Sequence, residues 1–155
     1  MLQRIQTLYL LIATILTGSL FFLTMAEMAG SDAYYELTWR GIFEMEAGEA
    51  TDLKIPAWAL SILTVLTTAI SLLTLNLYKK RMVQIRLCSI NLGLLLGLSA
   101  MIYYIGKTGA RELGATELSF NWPLVLPLVA MILVYLAIRA IGKDEALVRS
   151  VDRIR

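Results

Sequence analysis

Carboxylates are the residues in this sequence with the most capacity for chemistry. Seven of them lie between Glu27 and Asp52, and a Ca²⁺ ion binds several carboxylate oxygens at once. Their spacing matches no calcium-binding loop, so we favour the alternative that they form a solvated acidic surface. The pair Asp144 and Glu145 stands where a helix N-terminus favours negative charge. Neither group predicts a metal site.

Other catalytic residue types are scarce. The chain has no histidine, and its one cysteine, Cys88, has no neighbouring base in the sequence. Such a cysteine is more typical of a small buried hydrophobic residue than of a nucleophile. We therefore predict no catalytic residue, no cofactor and no metal, and a protein that is not an enzyme. An enzyme would need a metal held by carboxylates from two separate loops.

Long apolar stretches dominate the chain, which is 58% hydrophobic with a mean hydropathy of +0.70. Four stretches without Lys, Arg, Asp or Glu each approach or exceed the roughly 20 residues that cross a bilayer, and they cover residues 5–26, 55–78, 87–105 and 122–138. The first is too long for the apolar part of a cleaved signal peptide. The pattern predicts an all-α, four-transmembrane-helix bundle in a single domain, residues 1–155.

Charge placement predicts the orientation of these spans. The two termini, the turn at residues 79–86 and the tail at residues 139–155 carry ten basic and three acidic residues. The loops at residues 27–54 and 106–121 carry four basic and nine acidic ones. Because Lys and Arg concentrate on the cytoplasmic side, we expect both termini in the cytoplasm and both loops outside.

The outer loops contain alternating apolar and polar residues. "YELTWRGIFEME" (residues 35–46) and "GATELSFNW" (residues 114–122) both have the period of two that is typical of strands. Gly41 interrupts the first run where a bulge or bend would lie. We expect a small external antiparallel sheet built from the two loops.

Two helix faces carry small or hydroxylated residues at helical spacing. The second span has Ser61, Thr64, Thr68 and Ser71, and the third has Ser89, Gly93 and Gly97. Small residues at this interval let membrane helices approach closely, so we predict helix-packing surfaces, with a homodimer as an alternative for the glycines. The competing interpretation is a polar groove along the second helix.

The charged C-terminal segment "GKDEALVRSVDRIR" (residues 142–155) predicts a short amphipathic helix separate from the fourth span. Its basic residues would meet the inner leaflet or a protein. We group them with the basic residues of the N-terminus and of the central turn as a cytoplasmic contact surface: Arg4, Lys79, Lys80, Arg81, Arg149 and Arg153.

The chain ends resemble a known family. "MLQRIQTLYLL" at the start and "RAIGKDEALVRSVDRIR" at the finish are similar to an uncharacterised family of small four-helix inner-membrane proteins of the Bacteroidota type, catalogued as a domain of unknown function. The resemblance implies a bacterial inner-membrane location and brings no established activity or site residue.

A second, architectural likeness concerns the first outer loop. Its run of Trp39, Gly41 and Phe43 is similar in layout to claudin-type tetraspan proteins, although the paired loop cysteines of that group are absent. We include these three residues as an outer-loop contact surface.

These observations favour a non-enzymatic membrane protein that acts through contacts, as a scaffold, assembly factor or accessory subunit. The partners would be membrane lipid and a second copy or another membrane protein, with no nucleic acid. The alternative function is a carrier or binder of a lipid or small neutral solute in a polar groove lined by the second helix.

Overall fold

A computed structural model describes residues 5–30, 33–46, 49–77 and 80–152, with side chains to residue 143. Within these residues the chain forms four helices and five strands. The helices are α1 (Ile5–Ser19), α2 (Trp58–Asn76), α3 (Arg81–Glu112) and α4 (Leu126–Asp152), the last preceded by a 3₁₀ turn at Trp122–Val125. The strands are β1 (Ala26–Ala29), β2 (Tyr34–Thr38), β3 (Gly41–Glu46), β4 (Glu49–Pro56) and β5 (Glu117–Phe120).

The first apolar stretch is not one continuous helix, contrary to the prediction for residues 5–26. Helix α1 ends at Ser19, and the next residues form turns in which Leu20 and Phe21 donate backbone hydrogen bonds to residues three positions earlier. The chain then enters β1, where Ala26 and Met28 are completely buried between two other strands. Apolar residues fill a sheet core as readily as a membrane helix, so composition alone overestimates the helix.

The longest helix is α3, whose 32 residues extend about 48 Å at about 1.5 Å per residue. It runs well beyond both ends of the predicted span, residues 87–105. Helix α4 likewise continues through Gly142 to Asp152, so the predicted separate tail helix is an extension of α4. One glycine costs only about 1 kcal/mol in a helix interior, and the residues around Gly142 include the strong helix formers Lys143, Glu145 and Ala146.

Helices α1 and α3 each pack against both α2 and α4. Their inward positions recur every three or four residues, which keeps one stripe of each helix facing its neighbours. In α3 this stripe includes Gln84, Cys88, Asn91, Leu95, Leu98 and Ile102, all buried. In α2 it consists of Leu60, Thr64, Thr67, Ser71 and Thr74.

All five strands belong to one antiparallel sheet, in the order β4-β3-β2-β1-β5. The sheet lies at the end of the molecule where α1 and α3 finish and where α2 and α4 begin, because each of its segments connects to one of those helix ends. Its inner face includes Leu37 and Ile42, both completely buried. The opposite face carries Glu27, Glu36 and Phe43 in adjacent register.

The last turns of α3 support the inner face of this sheet. A Cβ atom at Gly106 would lie 2.7 Å from Cε1 of Phe120 in β5, and one at Gly109 would lie 2.1 Å from Cδ1 of Ile42 in β3. Both distances are shorter than packed side chains allow. Glycine at these two positions therefore permits helix and sheet to make direct contact.

The predicted fold class is therefore wrong. The described chain is a mixed α and β structure, in which a five-stranded sheet replaces the small sheet that was predicted. Among the described residues, three segments rather than four are long and apolar enough to cross a membrane: Trp58–Asn76, Arg81–Glu112 and Trp122–Lys143. As described, α1 is a shorter apolar helix. The prediction failed because it counted apolar residues of β1 and of the turn before it as helix.

Replacing Gly41 with alanine should destabilise the sheet strongly. Gly41 has a φ of +150°, and a Cβ atom there would lie 2.3 Å from the carbonyl oxygen of Ile55. Backbone strain of this kind costs up to about 3 kcal/mol, equivalent to a fall of roughly 6–12 °C in the unfolding midpoint. Thermal unfolding in detergent measures it. Gly93→Ala is the control, since its Cβ would meet nothing within 4 Å, and equal midpoints for the two variants would contradict the prediction.

Candidate functional site

The two ends of the molecule carry opposite charge. The described sheet end has eight carboxylates against four cations, Arg40, Lys54, Lys107 and Arg111. At the other end, where α2 finishes and α3 begins, the described charged side chains are all basic: Lys80, Arg81, Arg86, Arg139 and Lys143. The chain thus combines an acidic sheet end with a basic helix end.

Exposed aromatic residues lie near the sheet-side ends of the four described helices, the one in α3 being eight residues before the end of that helix. Phe22 follows α1, Trp58 opens α2, Tyr104 lies in α3 and Trp122 precedes α4, and the exposed fractions of these residues are 89%, 75%, 62% and 65%. We call these four residues the aromatic collar. Exposed aromatic rings at this density are typical of the interface between a membrane and water.

Equal apolar lengths separate the collar from polar residues at the basic end. The pairs are Trp58 and Asn76, Tyr104 and Arg86, and Trp122 and Arg139, each 17 or 18 residues apart. This spacing corresponds to about 26–27 Å of helix, close to the roughly 30 Å of a bilayer's hydrocarbon core. Large apolar side chains between these levels are exposed, among them Leu66, Leu96 and Ile132. The arrangement fits helices surrounded by lipid.

The predicted hydroxyl face of α2 points into the molecule. Thr64 and Ser71 are completely buried, whereas Ser61 and Thr68 are half-buried. Thr64 Oγ1 donates to the carbonyl oxygen of Leu60 at 2.8 Å, and Thr68 Oγ1 donates to that of Thr64 at 2.8 Å. These hydroxyls are satisfied by their own helix, as is usual for Ser and Thr in helices.

The small-residue stripe of α3 points outward. Ser89 and Gly93 are exposed and Gly97 is half-buried. A Cβ atom at either glycine would meet nothing within 4 Å, so the stripe is not a contact between helices of one chain. The homodimer alternative stays a prediction.

Two buried amides outside the predicted site residues join α2 to α3. Gln84 Nε2 donates to the carbonyl oxygen of Thr74 at 3.0 Å, and Asn91 Nδ2 donates to Ser71 Oγ at 2.8 Å. In the described part of the chain, the side-chain oxygens of both amides are buried and accept no hydrogen bond. In the sequence, both amides stand out as polar residues that share the three- or four-residue spacing of the buried apolar positions of α3.

The outer-loop residues Trp39, Gly41 and Phe43 do not form one surface. Trp39 is half-buried, with its ring 5.0 Å from that of Phe21 in an edge-to-face arrangement. Gly41 is buried as the first residue of β3, and Phe43 lies on the outer face of the sheet. They therefore serve three different structural roles.

The predicted cytoplasmic contact surface is described only in part. Lys80 is exposed and Arg81 is half-buried at the start of α3. Arg4, Lys79 and Arg153 lie outside the described residues, as does the side chain of Arg149. Lys80 and Arg81 belong to the basic end defined above.

A hydrogen-bonded carboxylate ties three parts of the sheet together. Glu27 in β1 accepts a hydrogen bond from the Tyr34 hydroxyl in β2, and it accepts another from Asn121 Nδ2 at 2.7 Å, just after β5. The Tyr34 and Asn121 hydrogen bonds lower the pKa of Glu27 below its ordinary value of 4.5. The Glu27 carboxylate in turn raises the pKa of Tyr34 to about 12. Across the described residues, no three His, Cys, Asp or Glu side chains are grouped as a metal site.

Fold and charge layout together define a class: an apolar helical protein, with three helices compatible with membrane crossing, that carries a sheet at its acidic end. The chain belongs to the family described as Domain of unknown function (DUF4293), whose model matches residues 2–154. This match confirms the resemblance to an uncharacterised family. No curated protein matches the chain.

Protonation of Glu27 should loosen the sheet in acid. Because its pKa is lowered by folding, the stabilisation is present above about pH 4.5 and is lost as pH falls through the lower pKa of the folded state. We expect Glu27→Gln to weaken the loss of stability below pH 4.5, measured by thermal unfolding between pH 3 and 6. The control is Glu46→Gln, an exposed carboxylate at the end of β3. If Glu27→Gln lost as much thermal stability below pH 4.5 as the control does, the proposed role of Glu27 in the acid sensitivity of the sheet would be contradicted.

Proposed function

We propose that this chain is a non-enzymatic membrane protein that acts through contacts, as a scaffold, assembly factor or accessory subunit. The observation that carries the proposal is the outer face of the sheet. On it Phe43 is half-buried and Leu53, its partner in β4, is 47% exposed, with Glu36 beside them in register. Apolar side chains surrounded by carboxylates suit a protein partner with a basic rim.

The way in which the helices support the sheet favours a binding role for its outer face over a catalytic one. Its inner face packs closely against α3 at Gly106 and Gly109, and this contact supports the outer face above the helices. The strand at its edge, β4, is exposed along Glu49–Lys54, which leaves room for a neighbour beside the sheet as well as above it.

The proposed location is a bacterial inner membrane, crossed more than once, with the sheet outside and both termini in the cytoplasm. The basic end of the described helices supports this orientation, because Lys and Arg are retained on the cytoplasmic side. The N-terminal end of α1 and the C-terminal end of α4 both lie at that basic end, opposite the sheet.

One labelling experiment tests the contacts and the orientation separately. In a Cys88→Ala background, cysteine replaces Leu53 on the sheet or Met82 at the basic end, both about half exposed. A membrane-impermeant maleimide carrying a photocrosslinker is then applied to intact cells. We expect labelling of Leu53→Cys only, with Met82→Cys reacting after permeabilisation, and a discrete protein adduct from Leu53→Cys after illumination.

The adduct should depend on charge. Adding Glu36→Gln and Glu46→Gln is expected to reduce its yield several-fold, whereas Glu112→Gln, on α3, should leave it unchanged. Labelling of Met82→Cys alone in intact cells would overturn the orientation. Correct labelling without a charge-dependent adduct would overturn the contact function and leave the orientation standing.

A second candidate function is the binding of a small neutral solute between α2 and α3. The observation that favours it is the pair of buried amide oxygens on Gln84 and Asn91 without a donor in the described residues. A buried acceptor without a partner costs about 1–3 kcal/mol, which a ligand with N–H or O–H groups would recover.

Acetamide is a suitable probe for this second candidate. Titration is expected to shift the side-chain amide resonances of Gln84 and Asn91 in a saturable way. Asn76 is the matched control, because it is exposed and, within the described residues, its side chain donates to the carbonyl oxygen of Leu72 at 3.2 Å. Linear, unsaturable shifts identical to those of Asn76 would exclude solute binding at this position.

A further inference from the structure

The cations of the sheet end differ in their partners. Lys54 Nζ lies 2.8 Å from a carboxylate oxygen of Glu44 and 3.9 Å from one of Asp52. Arg40 and Lys107 are exposed and have no carboxylate within 4.0 Å in the described residues. They lie against aromatic rings instead. The Arg40 guanidinium is 4.9 Å from the ring centre of Trp39, and the Lys107 ammonium is 5.7 Å from that of Tyr103.

Both cations lie about one helical turn from the aromatic collar. The turn that carries Arg40 is attached to the start of α2, because Ala57 N donates to the carbonyl oxygen of Arg40 at 3.1 Å and Ser61 Oγ donates to that of Trp39 at 2.9 Å. Trp58 is in that same helical turn. Lys107 follows Tyr104 by three residues in α3. Two unneutralised cations thus lie just above the level where the exposed apolar surface ends.

We propose that Arg40 and Lys107 bind phospholipid phosphate groups at the sheet-side surface of the membrane. The inference rests on the membrane location proposed above, and it adds a ligand class and two binding residues. Aromatic rings hold both cations in place, so less side-chain freedom is lost when a phosphate binds. The collar rings would pack beside the glycerol and upper acyl chains of the same lipids.

Charge distinguishes a lipid phosphate from an anionic protein as the partner. The described sheet end has four more carboxylates than cations, and an acidic protein approaching from above would be repelled by them. A phosphate in the headgroup layer approaches from the helix side and meets Arg40 and Lys107 first. The observations therefore favour lipid.

The tryptophans provide an assay that is specific for this end of the molecule. The chain has three, Trp39, Trp58 and Trp122, and all lie at the sheet end, so lipid bound at the basic end does not affect their fluorescence. Lipids with brominated acyl chains quench tryptophan on contact. We would titrate the detergent-solubilised full chain with brominated phosphatidylglycerol or with brominated diacylglycerol, which has the same chains and no phosphate.

We expect half-quenching at an at least threefold lower mole fraction of the phosphatidylglycerol. The Arg40→Gln/Lys107→Gln double variant should lose this preference, and Lys54→Gln should keep it because Lys54 is already paired with Glu44. If the double variant unfolds, Lys107→Gln alone, which changes one exposed side chain on α3, should lose at least part of the preference. Inorganic phosphate should not reverse the quenching.

Three results would overturn the proposal. Equal quenching by both lipids would exclude a phosphate contribution while leaving the collar in contact with lipid, so the membrane location would survive. An unchanged preference in the double variant would exclude these two residues. Quenching by neither lipid would remove the lipid contact of the collar and, with it, the proposed membrane location.

Discussion

Contact between the sheet and the last turns of α3 is the interaction on which the rest of this structure depends. Strands of four or five residues, such as β1, β2 and β5, are not stable by themselves. They are held because their inner side chains are buried against a helix that continues past the collar. Gly106 and Gly109 set the distance, since a Cβ atom at either would collide with Phe120 or Ile42. The position of the outer face follows from that contact.

Below the sheet, polar side chains as well as apolar ones lie between α2 and α3. The hydroxyls of Thr64 and Thr67 donate hydrogen bonds to carbonyl oxygens of α2 itself, so they need no partner on another helix. Gln84 and Asn91 then supply the cross-links between the helices. In lipid the apolar drive for helix association is missing, and such hydrogen bonds with close packing take its place. Within the described residues, the side-chain oxygens of Gln84 and Asn91 accept no hydrogen bond, so both could accept one from a bound ligand.

The sequence predicted strands where apolar and polar residues alternate clearly and failed where a strand adjoins a long apolar stretch. The alternation around Tyr35 and Phe43 correctly indicated β2 and β3, and that around Leu118 indicated β5. Strand β1 was missed because Ala26 and Met28 resemble the end of an apolar helix, although β1 pairs with the neighbouring β2 as well as with the distant β5. For the site, the hydroxyl residues of α2 were predicted to form a packing surface or a groove, and Gln84 and Asn91 were left out of the predicted site residues, since an amide in an apolar helix does not reveal which helix it faces.

Strand register also explains why the cations of the sheet end are not all neutralised by its many carboxylates. Alternation places Glu27 and Glu36 on the outer face, whereas Arg40 lies in a turn at the helix end and Lys107 lies on α3 itself. The molecule therefore has positive charge at both ends of its apolar helical region and negative charge above one of them. In the proposed location each positive level would face a layer of lipid phosphates. If the helices moved along the membrane normal, the cations at one level would separate from the phosphates. Those at the other level would move toward the hydrocarbon core, which is energetically costly.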